Sequence, residues 1–264
     1  MTTYEPLSIG EIFDRAVTIV VTRWRPLLFV SSVIAIAGTG ISVAARSGNP
    51  VLVLLVTLPF SFVTTLFSNA LVAICGEPEA AANTRLAVRI GLRRFWPVFG
   101  LYFLFGLLAG LAAVLLALPI LIVASAHVGW LLAIIAIVYI LAGLPVSAYL
   151  IGFIAIAYVY VVLENMGPFT ALNTVPRRGK TAGGWRLLLL GAAIMALSYV
   201  PALVVGALPD AIAWLFAVKL AGLALMNVTI FVYATAVETV AAIDYRNRST
   251  GADLAQLLEA RARA

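Results

Sequence analysis

Behind Arg93-Arg94-Phe95-Trp96 the chain changes at Pro97 from basic to uniformly apolar, and this boundary limits the possible folds more than any other stretch. Arginine favours the headgroup side of a bilayer, tryptophan the interface, and the uncharged run beyond them hydrocarbon. The same boundary recurs at Arg23-Trp24-Arg25-Pro26 and, more weakly, at Gly184-Trp185-Arg186. Three boundaries of one kind predict one unit used three times.

Composition points the same way. Of 264 residues, 64% are hydrophobic and 11% charged, against roughly 25% charged in a soluble domain. The surplus apolar surface must face lipid, so the expected class is an all-α integral membrane protein. The net charge of +6 does not line one face of a soluble fold, as a nucleic-acid binder would require. Of the 17 Lys and Arg, all but Arg46 and Lys219 lie in the N-terminal segment, two inter-span segments or the tail. No nucleic-acid partner is expected. The single cysteine, Cys75, excludes an intramolecular disulfide or a cysteine metal cluster and reads as a small buried hydrophobe. Glu5, Glu11 and Asp14 argue against a signal peptide in residues 1–26.

Six apolar spans are predicted at 27–45, 51–75, 97–124, 130–163, 187–207 and 211–240. Each comes near or above the ~20 residues that a bilayer crossing needs. The links at 46–50, 125–129 and 208–210 are short, so the spans pair as three hairpins. The segments 76–96 and 164–186 are longer and basic. The units run over 5–75, 77–163 and 167–243, with a tail over 244–264, in one membrane domain open to pseudo-threefold symmetry. The positive-inside rule then places both termini in the cytoplasm. Each unit opens with an interfacial element. Residues 7–24 form an amphipathic helix started by a Ser8–Glu11 capping box. The counterparts follow Pro78 and Pro168, the third expected to break in two around Pro176, Gly179, Gly183 and Gly184.

Several residues are candidates for function. In span two, Thr57, Ser61, Thr64 and Ser68 fall within an arc of about 60°, with Thr65 and Asn69 alongside. They form either a polar path or hydroxyls turned back on their own helix or toward a neighbouring one. In span six, Asn227 and Glu238 share a face, and Glu238 is expected to pair with the inner arginines. Lys219 lies either deep in the bilayer or at its outer surface as a snorkelling anchor. Gly106, Gly110, Ala113 and Ala117 offer a small-residue face for close helix packing, and Pro119 and Pro145 are expected to kink their spans. Arg85, Arg89 and Arg93 recur every four residues as one basic edge. With Arg94, Arg177, Arg178 and Lys180 they either recognise anionic lipid or only fix topology. The single histidine, His127, has no visible metal or catalytic partners. No enzyme activity, metal or cofactor is expected.

Three patches carry a family resemblance. They are Leu7-Ser8-Ile9-Gly10-Glu11-Ile12-Phe13-Asp14-Arg15-Ala16, then Gly167-Pro168-Phe169-Thr170-Ala171-Leu172, and the tail Asp244-Tyr245-Arg246-Asn247-Arg248 with Gly251, Asp253 and Leu254. Together they resemble the large prokaryotic family named after the membrane domain of glycerophosphodiester phosphodiesterases. The resemblance implies a six-span bundle in the cytoplasmic membrane, not an activity. Its phosphodiesterase name belongs to a separate soluble barrel with metal-binding carboxylates and histidines, so this chain is not expected to hydrolyse phosphodiesters. Around Pro176 to Gly184 it departs from the continuous helix that the family tends to show. The leading functional expectation is a non-enzymatic module that organises lipids, a partner protein or copies of itself through its basic inner face. The alternative is a transporter, channel or lipid-translocating protein using the polar residues of spans two and six.

Overall fold

The computed structural model describes residues 7–108, 110, 129–182, 184–206 and 213–250, and every regular element among them is helical. The helices are α1 (Ile9–Thr22), α2 (Trp24–Arg46), α3 (Pro50–Gly76), α4 (Pro78–Ala82) and α5 (Thr84–Arg93). They continue with α6 (Phe95–Leu108), α7 (Gly129–Leu163), α8 (Pro168–Ala182), α9 (Gly184–Gly206) and α10 (Ala213–Thr250). Four segments are long and apolar enough to cross a membrane: α2, α3, Leu141–Leu163 of α7 and Val228–Ser249 of α10. The apolar part of α6 and the Gly184–Leu197 part of α9 are shorter. This is a membrane-embedded helical protein. Pro119, His127, Asp210, Ala113 and Ala117 lie outside the described residues, as do the side chains of Lys180, Lys219 and Asn227.

Local rules account for the ends of the first helices. Ser8 and Glu11 make the expected reciprocal capping box at the start of α1, while Ile12 and Ala16 turn inward. Phe13 meets the Tyr233 ring of α10 at 6.1 Å between centroids, laying α1 along that helix. Between α2 and α3 the chain reverses through Ser47-Gly48-Asn49. Gly48 takes a positive φ of 67°, Asn49 caps the Val51 and Leu52 amides, and Pro50 opens α3. At the end of α7 Asn165 adopts φ 55°, a conformation that asparagine tolerates better than most residues, ahead of Gly167 and Pro168.

The core sits toward one end of the bundle, where most described arginines also lie. It joins Ala70–Cys75 of α3, Ile156–Val162 of α7 and Ala236–Ala242 of α10, closed by Ala16, Leu27 and Val30. Toward the other end Val51, Leu54, Leu55 and Leu58 of α3 are exposed, as suits a helix face against acyl chains. Helix α10 is the hub: α1, α2, α3, α7, α8 and α9 all pack on it.

One expectation fails. The interfacial segment after Pro168 is not broken: α8 runs continuously through Pro176 to Ala182. Pro176 forfeits a hydrogen bond, but its ring lies on the exposed side, and Arg178 just beyond it is tied to Glu164. Close helix approach is seen at two other glycines. Among the described residues nothing lies within reach of a Cβ at Gly106 or Gly110, and Ala113 and Ala117 of that face lie outside them, whereas a Cβ at Gly152 would overlap the Leu187 carbonyl and one at Gly191 the Ala148 carbonyl. A tight crossing is therefore α7 on α9, whose backbones meet at Ala148, Gly152 and Gly191.

Candidate functional site

Three arginine-centred contacts are built at the core end of the bundle. Arg23, between α1 and α2, donates to the Ile74 carbonyl and, at 3.0 Å, to the Cys75 carbonyl. These are carbonyls in the last turn of α3, where a helix lacks its own donors and its dipole favours a cation. In the second contact, Arg178 of α8 forks onto Glu164 at the end of α7, with bonds of 2.8 and 3.0 Å. Its guanidinium also lies 4.5 Å from the Tyr160 ring centroid. Desolvation opposes the Arg178 charge, yet the hydrogen bonds to Glu164 and Tyr160 leave its pKa raised.

The third contact gathers the most distant parts of the chain. Asp244 of α10, with 1% of its side chain exposed, accepts from the Leu7 amide at 3.1 Å. It also pairs with Arg248 Nε at 2.8 Å and Arg186 at 3.4 Å. Both arginines close the ring by donating to the Leu7 carbonyl, at 2.9 and 2.8 Å. A buried carboxylate with this many donors is well compensated. The start patch at Leu7 and the tail patch at Asp244 and Arg248 thus meet in space. Of the other residues in those patches, Gly10, Asp14 and Arg15 are exposed on α1, and Arg246 is partly buried.

The predicted basic edge divides. Arg85, Arg89 and Arg93 are exposed on α5, and their guanidinium groups make no hydrogen bond or ion pair among the described residues. Arg94 is partly buried, its Nε has no hydrogen-bond partner among the described residues, and burial, followed by the neighbouring Arg93, lowers its pKa. Arg177 is exposed, whereas Arg178 is spent on Glu164. Helix α5 is pinned to α3 by Gly91, which has no room for a Cβ against Leu66 and Ala70. The buried Asn69 amide donates to the Gly91 carbonyl at 3.2 Å. Between α2, α3 and α5 runs a groove of about 560 Å³ lined by Phe29, Phe67, Thr84, Arg85 and Val88.

The span-two stripe also separates. Thr64, Thr65 and Ser68 donate to the Phe60, Ser61 and Thr64 carbonyls one turn back. Ser61, Thr64 and Thr65 line a groove of about 330 Å³ with Ile34, Gly38, Ile41 and Phe231, while Thr57 is partly buried higher on the helix. Asn69 leaves the stripe for its bond to α5. Glu238 is partly buried and has no ion pair among the described residues. The expected pairing with the arginines fails because Asp244, six positions nearer that end, takes Arg186 and Arg248.

Sequence reasoning passed over Glu164 and did not link Arg186 to Asp244. Its available signal was carboxylates placed at the ends of apolar runs next to basic segments. No family model, curated protein or solved structure matches the chain.

Proposed function

We propose that the protein is a non-enzymatic six-span module of a prokaryotic cytoplasmic membrane that holds anionic lipids against its inward face. In this reading the spans pair as three hairpins, the units 5–75, 77–163 and 167–243 repeat about a pseudo-threefold axis, and both termini face the cytosol. Support comes from how the second span of each unit ends. Arg23 meets α3, Arg178 meets Glu164 of α7, and Arg186 with Arg248 meets Asp244 of α10. One observation carries the functional part. While those arginines are engaged within the protein, Arg85, Arg89 and Arg93 are left exposed on one helix edge without a partner among the described residues. Basic side chains at an anionic leaflet contribute about 1 kcal/mol each.

The test is to extract the full chain with its surrounding lipid in polymer-bounded discs and quantify the lipids retained. Enrichment of anionic species over the bulk membrane is expected, and retained lipid of bulk composition refutes the reading. Transport is a second reading, favoured by the 330 Å³ groove beside Ser61, Thr64 and Thr65. Cysteines at positions 61 and 68 that resist a water-soluble maleimide from both sides of the membrane would remove it.

A further inference from the structure

The groove between α2, α3 and α5 has the polarity of a phospholipid. Arg85 and Thr84 stand at the start of α5, and Phe29, Phe67 and Val88 form the rest of the lining. We infer that this groove binds one anionic phospholipid, with its phosphate on Arg85 and Thr84 and an acyl chain along Phe29 and Phe67. The inference rests on the lipid reading above and names its site.

Three observations lead there. The groove's volume of about 560 Å³ falls in the range of small-molecule sites. Phe29 is 60% exposed, an apolar ring left uncovered beside a cation. The cation's helix is also held in place before any ligand arrives. Gly91 seats α5 on the α3 backbone, Asn69 bonds the Gly91 carbonyl, and Asn83 caps the Arg85 and Leu86 amides at 3.1 and 3.3 Å. A preorganised site loses less entropy on binding. Arg89 stands one turn further along, about 6 Å away, and adds a second positive charge to the same edge. A free phosphate would gain nothing from Phe29, Phe67 and Val88, whereas an acyl chain covers them.

The experiment is a native mass-spectrometry titration of the detergent-solubilised full chain. The probes are 1-palmitoyl-2-oleoyl phosphatidylglycerol and the phosphatidylcholine with the same chains. Wild type is expected to bind phosphatidylglycerol in preference. Arg85→Gln weakens that binding about fivefold and Arg85→Gln with Arg89→Gln about 25-fold, at the usual contribution per basic residue. Val88→Trp, which fills the groove without altering charge, weakens binding of both lipids. Arg177→Gln removes an exposed charge on α8, which packs on α7, α9 and α10 and not on the groove helices, and leaves binding unchanged. If wild type prefers phosphatidylglycerol but neither Arg85→Gln nor Val88→Trp weakens its binding, the groove is not the site, and the broader lipid reading survives. If wild type shows no preference, both fail. Displacement of phosphatidylglycerol by millimolar inorganic phosphate would overturn the lipid assignment in favour of a simple anion site.

Discussion

Asp244→Ala removes the carboxylate that Arg186, Arg248 and the Leu7 amide share. Breaking a buried ion pair by deleting one partner costs about 3–5 kcal/mol, since the surviving charge is stranded. An amide left without an acceptor adds about 1–3 kcal/mol. Two features pull the sum down. Both arginines keep the Leu7 carbonyl, and their side chains are 14% and 16% exposed, so water can reach them. A net loss of about 3 kcal/mol is expected. Reversible unfolding in mixed micelles measures it, with Asp14→Ala, at an exposed site on α1, as the control. Double-mutant cycles should give a larger coupling to Arg248, at 2.8 Å, than to Arg186, at 3.4 Å. A loss below about 1 kcal/mol, or one equal to that of Asp14→Ala, would refute the view that this ring fastens the chain's first residues to α10.

Two glycine substitutions should differ in sign. Gly191→Ala forces α9 off the Ala148 carbonyl and costs about 1–3 kcal/mol, whereas Gly106→Ala, with no described atom in reach of its Cβ, gains helix propensity and stabilises by about 0.5–1 kcal/mol in the same unfolding assay. Arg23→Met strips two carbonyls in the last turn of α3 of their donor and should destabilise by about 1.5–3 kcal/mol. Arg25→Met, at an exposed position, should leave the unfolding midpoint unchanged. Hydrogen bonding from the Ser8 side chain, then from its backbone, holds the Glu11 carboxyl below its ordinary value of 4.5. Its contribution is therefore complete above that value and lost as pH falls through the lower, folded one. Unfolding measured across this acid range should show a component that Glu11→Gln abolishes.

What the chain could declare by itself was local. Hydropathy along α2 and α3 and the Ser8–Glu11 box are properties of neighbouring residues, and each stands where the sequence puts it. The exposed face of α5 follows equally from its spacing, since residues four apart share one side of a helix. Contacts between distant segments were another matter. Leu7 and Asp244 are 237 positions apart, and no periodicity within either segment indicates that they meet. Small residues at helical spacing permit close packing without choosing a partner. Gly152 and Gly191 come face to face across α7 and α9, a pairing that nothing in either segment singles out. Glu238 lost its expected arginines for a similar reason, because Asp244 was better placed to take them. Apolar length and capping determine which segments become helices and which faces meet lipid. Which carboxylate captures which guanidinium is decided only when the packed bundle sets their depth and distance.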